Sequence, residues 1–137
     1  MAVSVKGYSK SKQGNVKLST NFKVSEFACQ DGSDVVFIAP ALVTILQKVR
    51  THFGKPVTIN SAYRTPTHNK KVGGTTNSQH CLGTAADIKI TGISPKTVAK
   101  YFPRTSLIVL IVLLNVFQNS FLLSPFIIFF IFYCLTK

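Results

Sequence analysis

Residues 78–90, Ser78-Gln79-His80-Cys81-Leu82-Gly83-Thr84-Ala85-Ala86-Asp87-Ile88-Lys89-Ile90, decide how this chain is read. An imidazole and a carboxylate stand seven positions apart across a glycine, and the run from Ala85 to Ile90 has the look of a strand. Gly83 permits a tight return, so a loop ending at His80 and a strand carrying Asp87 can bring the two side chains to one ion. Imidazole nitrogen and carboxylate oxygen are both zinc donors. The same spacing also suits a histidine that caps its loop and an aspartate that holds turn amides, and the pattern alone leaves both readings open.

Upstream of this stretch, Val57-Thr58-Ile59-Asn60-Ser61 alternates β-branched with polar residues and predicts a strand entering the core. The 62–79 region is rich in Thr, Asn, Gly and Lys, with Gly73-Gly74 in its middle, and reads as a long loop with one short helical turn. Before the strand, Leu42, Ile45, Leu46, Val49 and Phe53 recur at helical steps behind Pro40, whose missing N–H suits a first turn. Gly54 and Pro56 end that helix. Phe22 to Cys29 reads as a short strand or turn laid over the core. Downstream, Ser94 is an N-cap and Pro95 a first helical residue for a short helix with Val98, Ala99 and Phe102 on its apolar face.

Charge divides the chain. Residues 1–104 hold 15 of the 16 Lys and Arg and all four acids, leaving +11, while 105–136 contain no Asp, Glu, Lys or Arg. The mean hydropathy of +0.28 averages two unlike materials. A strongly cationic segment attracts polyanions such as anionic lipid, nucleic acid or the acidic polymers of a cell wall. Without zinc-finger spacing or an aromatic-studded strand, no specific nucleic-acid function is expected. Cys29, Cys81 and Cys134 are widely spaced with no CxxC pair, which argues against a disulfide scaffold. The start lacks the apolar core of a signal peptide.

The run Ser61-Ala62-Tyr63-Arg64-Thr65-Pro66, then Asn69 and Gly73-Gly74, then Ser78 to Asp87, resembles the zinc D-Ala-D-Ala carboxypeptidases and endopeptidases of the peptidase M15 family, in particular its phage-endolysin-like cell-wall members. The likeness covers about residues 18–102. It implies an α+β fold with a small antiparallel sheet and packed helices, incomplete at the C-terminus. It implies a metal role for His80 and Asp87, substrate binding by Arg64 and a cleft position for Ser78. The implied cofactor is zinc, and the implied partner is the peptidoglycan stem peptide; the positive charge adds an anionic wall polymer or lipid as a further expected partner.

The resemblance also exposes a departure. Family members close their metal site with a glycine-rich turn and a His-x-Asp phrase, but no histidine follows His80 in this chain. His52 is expected at the surface, His68 lies in the long loop, and Cys81 adjoins His80 with its side chain pointing elsewhere. Weak or absent zinc binding and little peptidase activity are therefore expected, as for a domain truncated or disrupted at its end. The alternative is a non-catalytic protein that retains part of the fold and binds cell wall or membrane.

Three segments follow from this reading: a flexible basic lead-in at 1–17, a partial peptidase domain at 18–104 and a hydrophobic tail at 105–137. Residues 106–133 are apolar over a length sufficient to cross a membrane, so a transmembrane helix and a cytoplasmic or membrane-associated location through the tail are expected.

Overall fold

The computed structural model describes residues 3–101. Strand β1 (Lys6–Ser9) leads into a single helical turn, α1 (Lys10–Gln13), in a segment that the sequence alone suggests is a flexible lead-in. Ser9 caps the turn by accepting from the Lys12 N–H. The Asp34 carboxylate then takes the Ser9 hydroxyl at 2.7 Å and the Ser11 N–H at 2.6 Å, tying this segment to the approach of β2. Strand β2 (Val35–Ile38) pairs antiparallel with β1, from Lys6 opposite Ile38 to Ser9 opposite Val35. Pleating sends Val36 and Ile38 inward and leaves Val35 and Phe37 exposed.

Helix α2 (Pro40–Phe53) begins on Pro40 and buries Leu42, Leu46 and Val49 of the expected stripe, with Val43 joining them while Ile45 and Phe53 are only half-buried. It stops where Gly54 adopts a left-handed φ of 59° and returns its N–H to the Arg50 carbonyl. Phe22, Val24 and Phe27 complete this core around a 3-10 turn at Val24–Phe27, with the Phe22 and Phe27 rings edge to face at 6.3 Å.

Strand β3 (Val57–Ser61) pairs antiparallel with β4 (Asp87–Ile90), and α3 (Pro66–Lys71) forms the helical turn of the long connection between them. The ladder runs Val57 to Ile90, Thr58 to Lys89 and Ile59 to Ile88, then skips Asn60 so that Ser61 faces Asp87. Such a bulge bends one strand and re-aims its side chains, here at the point where the site begins. Helix α4 (Pro95–Tyr101) follows, with Ser94 Oγ accepting from the Thr97 N–H. Tyr101 stacks on His52 at 4.1 Å, which places that histidine against an aromatic ring.

Two expectations are corrected. The fold is α+β, but the single small sheet becomes two separate two-stranded antiparallel sheets, β1–β2 and β3–β4, with four α-helices among the described residues. The division arises because β2 takes the N-terminal segment as its partner and leaves β3 to pair with β4 alone. The transmembrane expectation is the second correction. The stretch 106–133 lies outside the described residues, and among those described no helix is long and apolar enough to cross a membrane. Their longest, α2, has 14 residues, about 21 Å of helix against a hydrocarbon core of about 30 Å. Membrane association through the tail, and the location that followed from it, are accordingly not supported.

Candidate metal centre

The loop before β4 folds into overlapping turns that present His80. Cys81 donates its N–H to the Ser78 carbonyl, Gly83 to the His80 carbonyl and Thr84 to the Gln79 carbonyl. Gly83 has a φ of +68°, and a Cβ there would collide with the Phe37 carbonyl oxygen. The Gly83 carbonyl in turn accepts from the Ala39 N–H, so the turn is pinned against β2. Only glycine satisfies both the backbone angle and the close approach.

His80 is 8% exposed and Asp87 6%, each held by its element in a nearly dry position. The His80 Nδ1–H donates to the Ala62 carbonyl at 2.7 Å. Because a carbonyl can only accept, this contact keeps the neutral imidazole's proton on Nδ1 and turns the Nε2 lone pair toward Asp87. Nε2 stands 3.5 Å from Asp87 Oδ1. Two ligands of one tetrahedral zinc ion, each about 2.0–2.1 Å from the metal, are about 3.3–3.4 Å apart, so the pair has the separation that a shared ion requires. The backbone carbonyl behind the imidazole is the kind of outer partner that orients metal-binding histidines.

Arg64 completes the cluster. Its Nη2 donates to Asp87 Oδ2 at 2.8 Å and its Nε to Ser61 Oγ at 2.8 Å, while its backbone N–H reaches the His80 carbonyl. The structure therefore brings Arg64, His80 and Asp87 together. Ser78 lies beside them in a supporting position, its Oγ accepting from the His80 N–H at 3.3 Å. Among the described residues no group of three or more His, Cys, Asp and Glu side chains is placed to hold a metal ion. His68 lies on α3 and joins no such group. The pair fits zinc as far as it goes, in donor type, tautomer and spacing.

Supporting residues that the sequence did not single out are Ser61, which fixes the guanidinium, and the Ala62 carbonyl, which fixes the imidazole. Their signal was position alone: both sit within three residues of Arg64, in the motif itself. A second network braces the same segment from the far side. Thr65 donates its hydroxyl to Asp31 at 2.5 Å and its N–H to Cys29 Sγ at 3.4 Å. The Thr65 hydroxyl, and after it the Ser33 N–H that donates to Asp31 Oδ1 at 2.9 Å, hold the Asp31 carboxyl well below the usual carboxylate range. Burial pushes the Cys81 thiol up, against the opposing pull of Arg64. Asn69 is 3% exposed and donates Nδ2 to the Thr75 carbonyl, gathering the Gly73-Gly74 turn onto α3.

The Peptidase M15 family model matches residues 20–109 of this chain. A zinc D-Ala-D-Ala carboxypeptidase of Streptomyces albus G is 49% identical over 53 residues, which cover 36% of this chain and 21% of that protein. The chain thus spans about a fifth of the length of that relative. No solved structure matches.

Proposed function

The chain belongs to the peptidase M15 family, and on that premise we propose that Arg64, His80 and Asp87 form part of a zinc peptidase site directed at peptidoglycan stem peptides. The observation that carries this reading is the 3.5 Å separation of His80 Nε2 and Asp87 Oδ1, with Nδ1 held by the Ala62 carbonyl. The similarity to a zinc D-Ala-D-Ala carboxypeptidase supports the choice of substrate.

His80 and Asp87 would hold the ion. Zinc, when bound, supplies a Lewis acid and an acidified water. The chain's own residues do the rest. Ala62 holds the imidazole proton on Nδ1, the Ser78 hydroxyl and the Gly83 turn fix the ring's approach, and Arg64 offers a guanidinium whose planar fork suits a peptide's terminal carboxylate. In the present geometry that guanidinium is engaged by Asp87 and Ser61, so substrate binding by Arg64 requires it to share or exchange partners.

Two ligands hold zinc weakly, and no histidine follows His80 to add a third. Little or no hydrolysis is therefore proposed for this chain. The second reading, a wall-binding protein without catalysis, is favoured by the same missing ligand. The test is to incubate the full chain and a His80→Ala variant with zinc and a stem peptide ending in D-Ala-D-Ala, measuring free D-alanine and new amino termini. The proposal expects a rate within a few-fold of the variant's. Rapid release that the substitution abolishes would establish a complete enzyme, and rapid release that survives it would remove His80 from the chemistry.

A further inference from the structure

Away from the metal centre, a groove of about 450 Å3 lies between β1, residues 16–19 and α2 from Pro40 to Lys48. Its lining includes the aliphatic Ile38, Pro40 and Val43 together with Lys6, Lys17 and Lys48. No ion pair engages any of these three lysines among the described residues.

The chain's side-chain carboxylates number four, and all are committed elsewhere. Glu26 accepts from the Lys23 N–H, Asp31 from Thr65, Asp34 from Ser9 and Ser11, and Asp87 from Arg64. None lines the groove. Among the described residues the three ammonium groups thus have no carboxylate partner, and on a chain at +12 they add three positive charges to a concave, partly apolar surface.

We infer that this groove binds a phosphodiester-linked polyol polymer, the anionic component of a cell wall. The choice of a wall polymer rests on the proposed action at peptidoglycan; the choice of a phosphate ligand rests on the groove itself. Lysine ammoniums meet phosphate oxygens as point charges, and the aliphatic part of the lining packs against the methylene face of a polyol. Nucleic acid fits less well, because base stacking needs aromatic or guanidinium platforms and the lining holds one aromatic ring, Tyr8, and no arginine. The concave shape does not match a flat bilayer.

The test measures binding of the full chain to a purified poly(glycerol phosphate) by calorimetry at several salt concentrations. Two variants with equal charge loss are compared: Lys6→Gln/Lys17→Gln/Lys48→Gln in the groove, and Lys70→Gln/Lys71→Gln/Lys96→Gln outside it, both checked for folding by circular dichroism. The groove variant should bind at least tenfold more weakly with a flatter salt dependence, the outer variant within threefold of the parent. Equal weakening in both variants would overturn the inference by showing diffuse charge attraction. Equal affinity for a single-stranded oligonucleotide or for anionic lipid vesicles, or no polymer binding at low salt, would also overturn it. His80→Ala should leave polymer binding intact, so failure of the groove and failure of the peptidase reading are separately visible.

Discussion

Arg64 Nη2 and Asp87 Oδ2 are 2.8 Å apart across the bulged end of the β3–β4 pair, with side chains 19% and 9% exposed. The carboxylate that would serve as a metal ligand is already neutralised by a neighbouring guanidinium, and its second oxygen faces His80.

Removing the guanidinium should therefore affect stability and metal affinity in opposite directions. In Arg64→Met the Asp87 carboxylate stays buried without its cation, a loss of about 3 kcal/mol, readable by urea denaturation in the absence of metal. Zinc affinity should rise about tenfold, since a charged neighbour repels the incoming ion, and millimolar zinc should restore part of the lost stability. An unchanged or weaker zinc affinity would show that Arg64 does not compete with the ion.

Gly83→Ala tests the turn that aims His80. The added Cβ collides with the Phe37 carbonyl oxygen, at a φ of +68°. A destabilisation of about 2 kcal/mol is expected, and chemical denaturation measures it. A neutral substitution would mean that the turn has another conformation available.

The Asp31 contact should appear as a pH dependence. Its carboxyl is lowered chiefly by the Thr65 hydroxyl and then by the Ser33 N–H, so the folded state binds this proton less readily than the unfolded chain. The stabilisation is present above the ordinary carboxylate value of about 4 and is lost as pH falls through the folded-state value below it. Asp31→Asn should melt below the parent at pH 7, and the gap should close as the pH is lowered from 4 toward 2. A gap constant over that range would mean the contact is not linked to charge.

Local rules account for much of the fold. The α2 stripe from Leu42 to Phe53 and the Pro40 and Gly54 signals bounding it describe the helix as found, as do the strand at Val57–Ser61 and the Ser94-Pro95 start of α4. Strand β2 carries no alternating signal, because Val35-Val36-Phe37-Ile38 is apolar at every position. Its inward and outward faces are set by pairing with β1, whose Lys6 and Gly7 carry no strand signal. Within the site, the glycine turn pointed to the meeting of His80 and Asp87. The Arg64–Asp87 contact was hidden, because it follows from the bulge at Asn60 and from Ser61 bracing the guanidinium, and neither leaves a periodic trace.

The most direct test of the account is a calorimetric zinc titration of the full chain beside His80→Ala and Asp87→Asn. A two-donor site predicts one zinc ion bound at micromolar Kd or weaker, with binding lost in both variants. A nanomolar one-to-one site would contradict the account by showing that a further ligand completes the coordination, and binding unchanged in the variants would show that these two side chains do not share an ion.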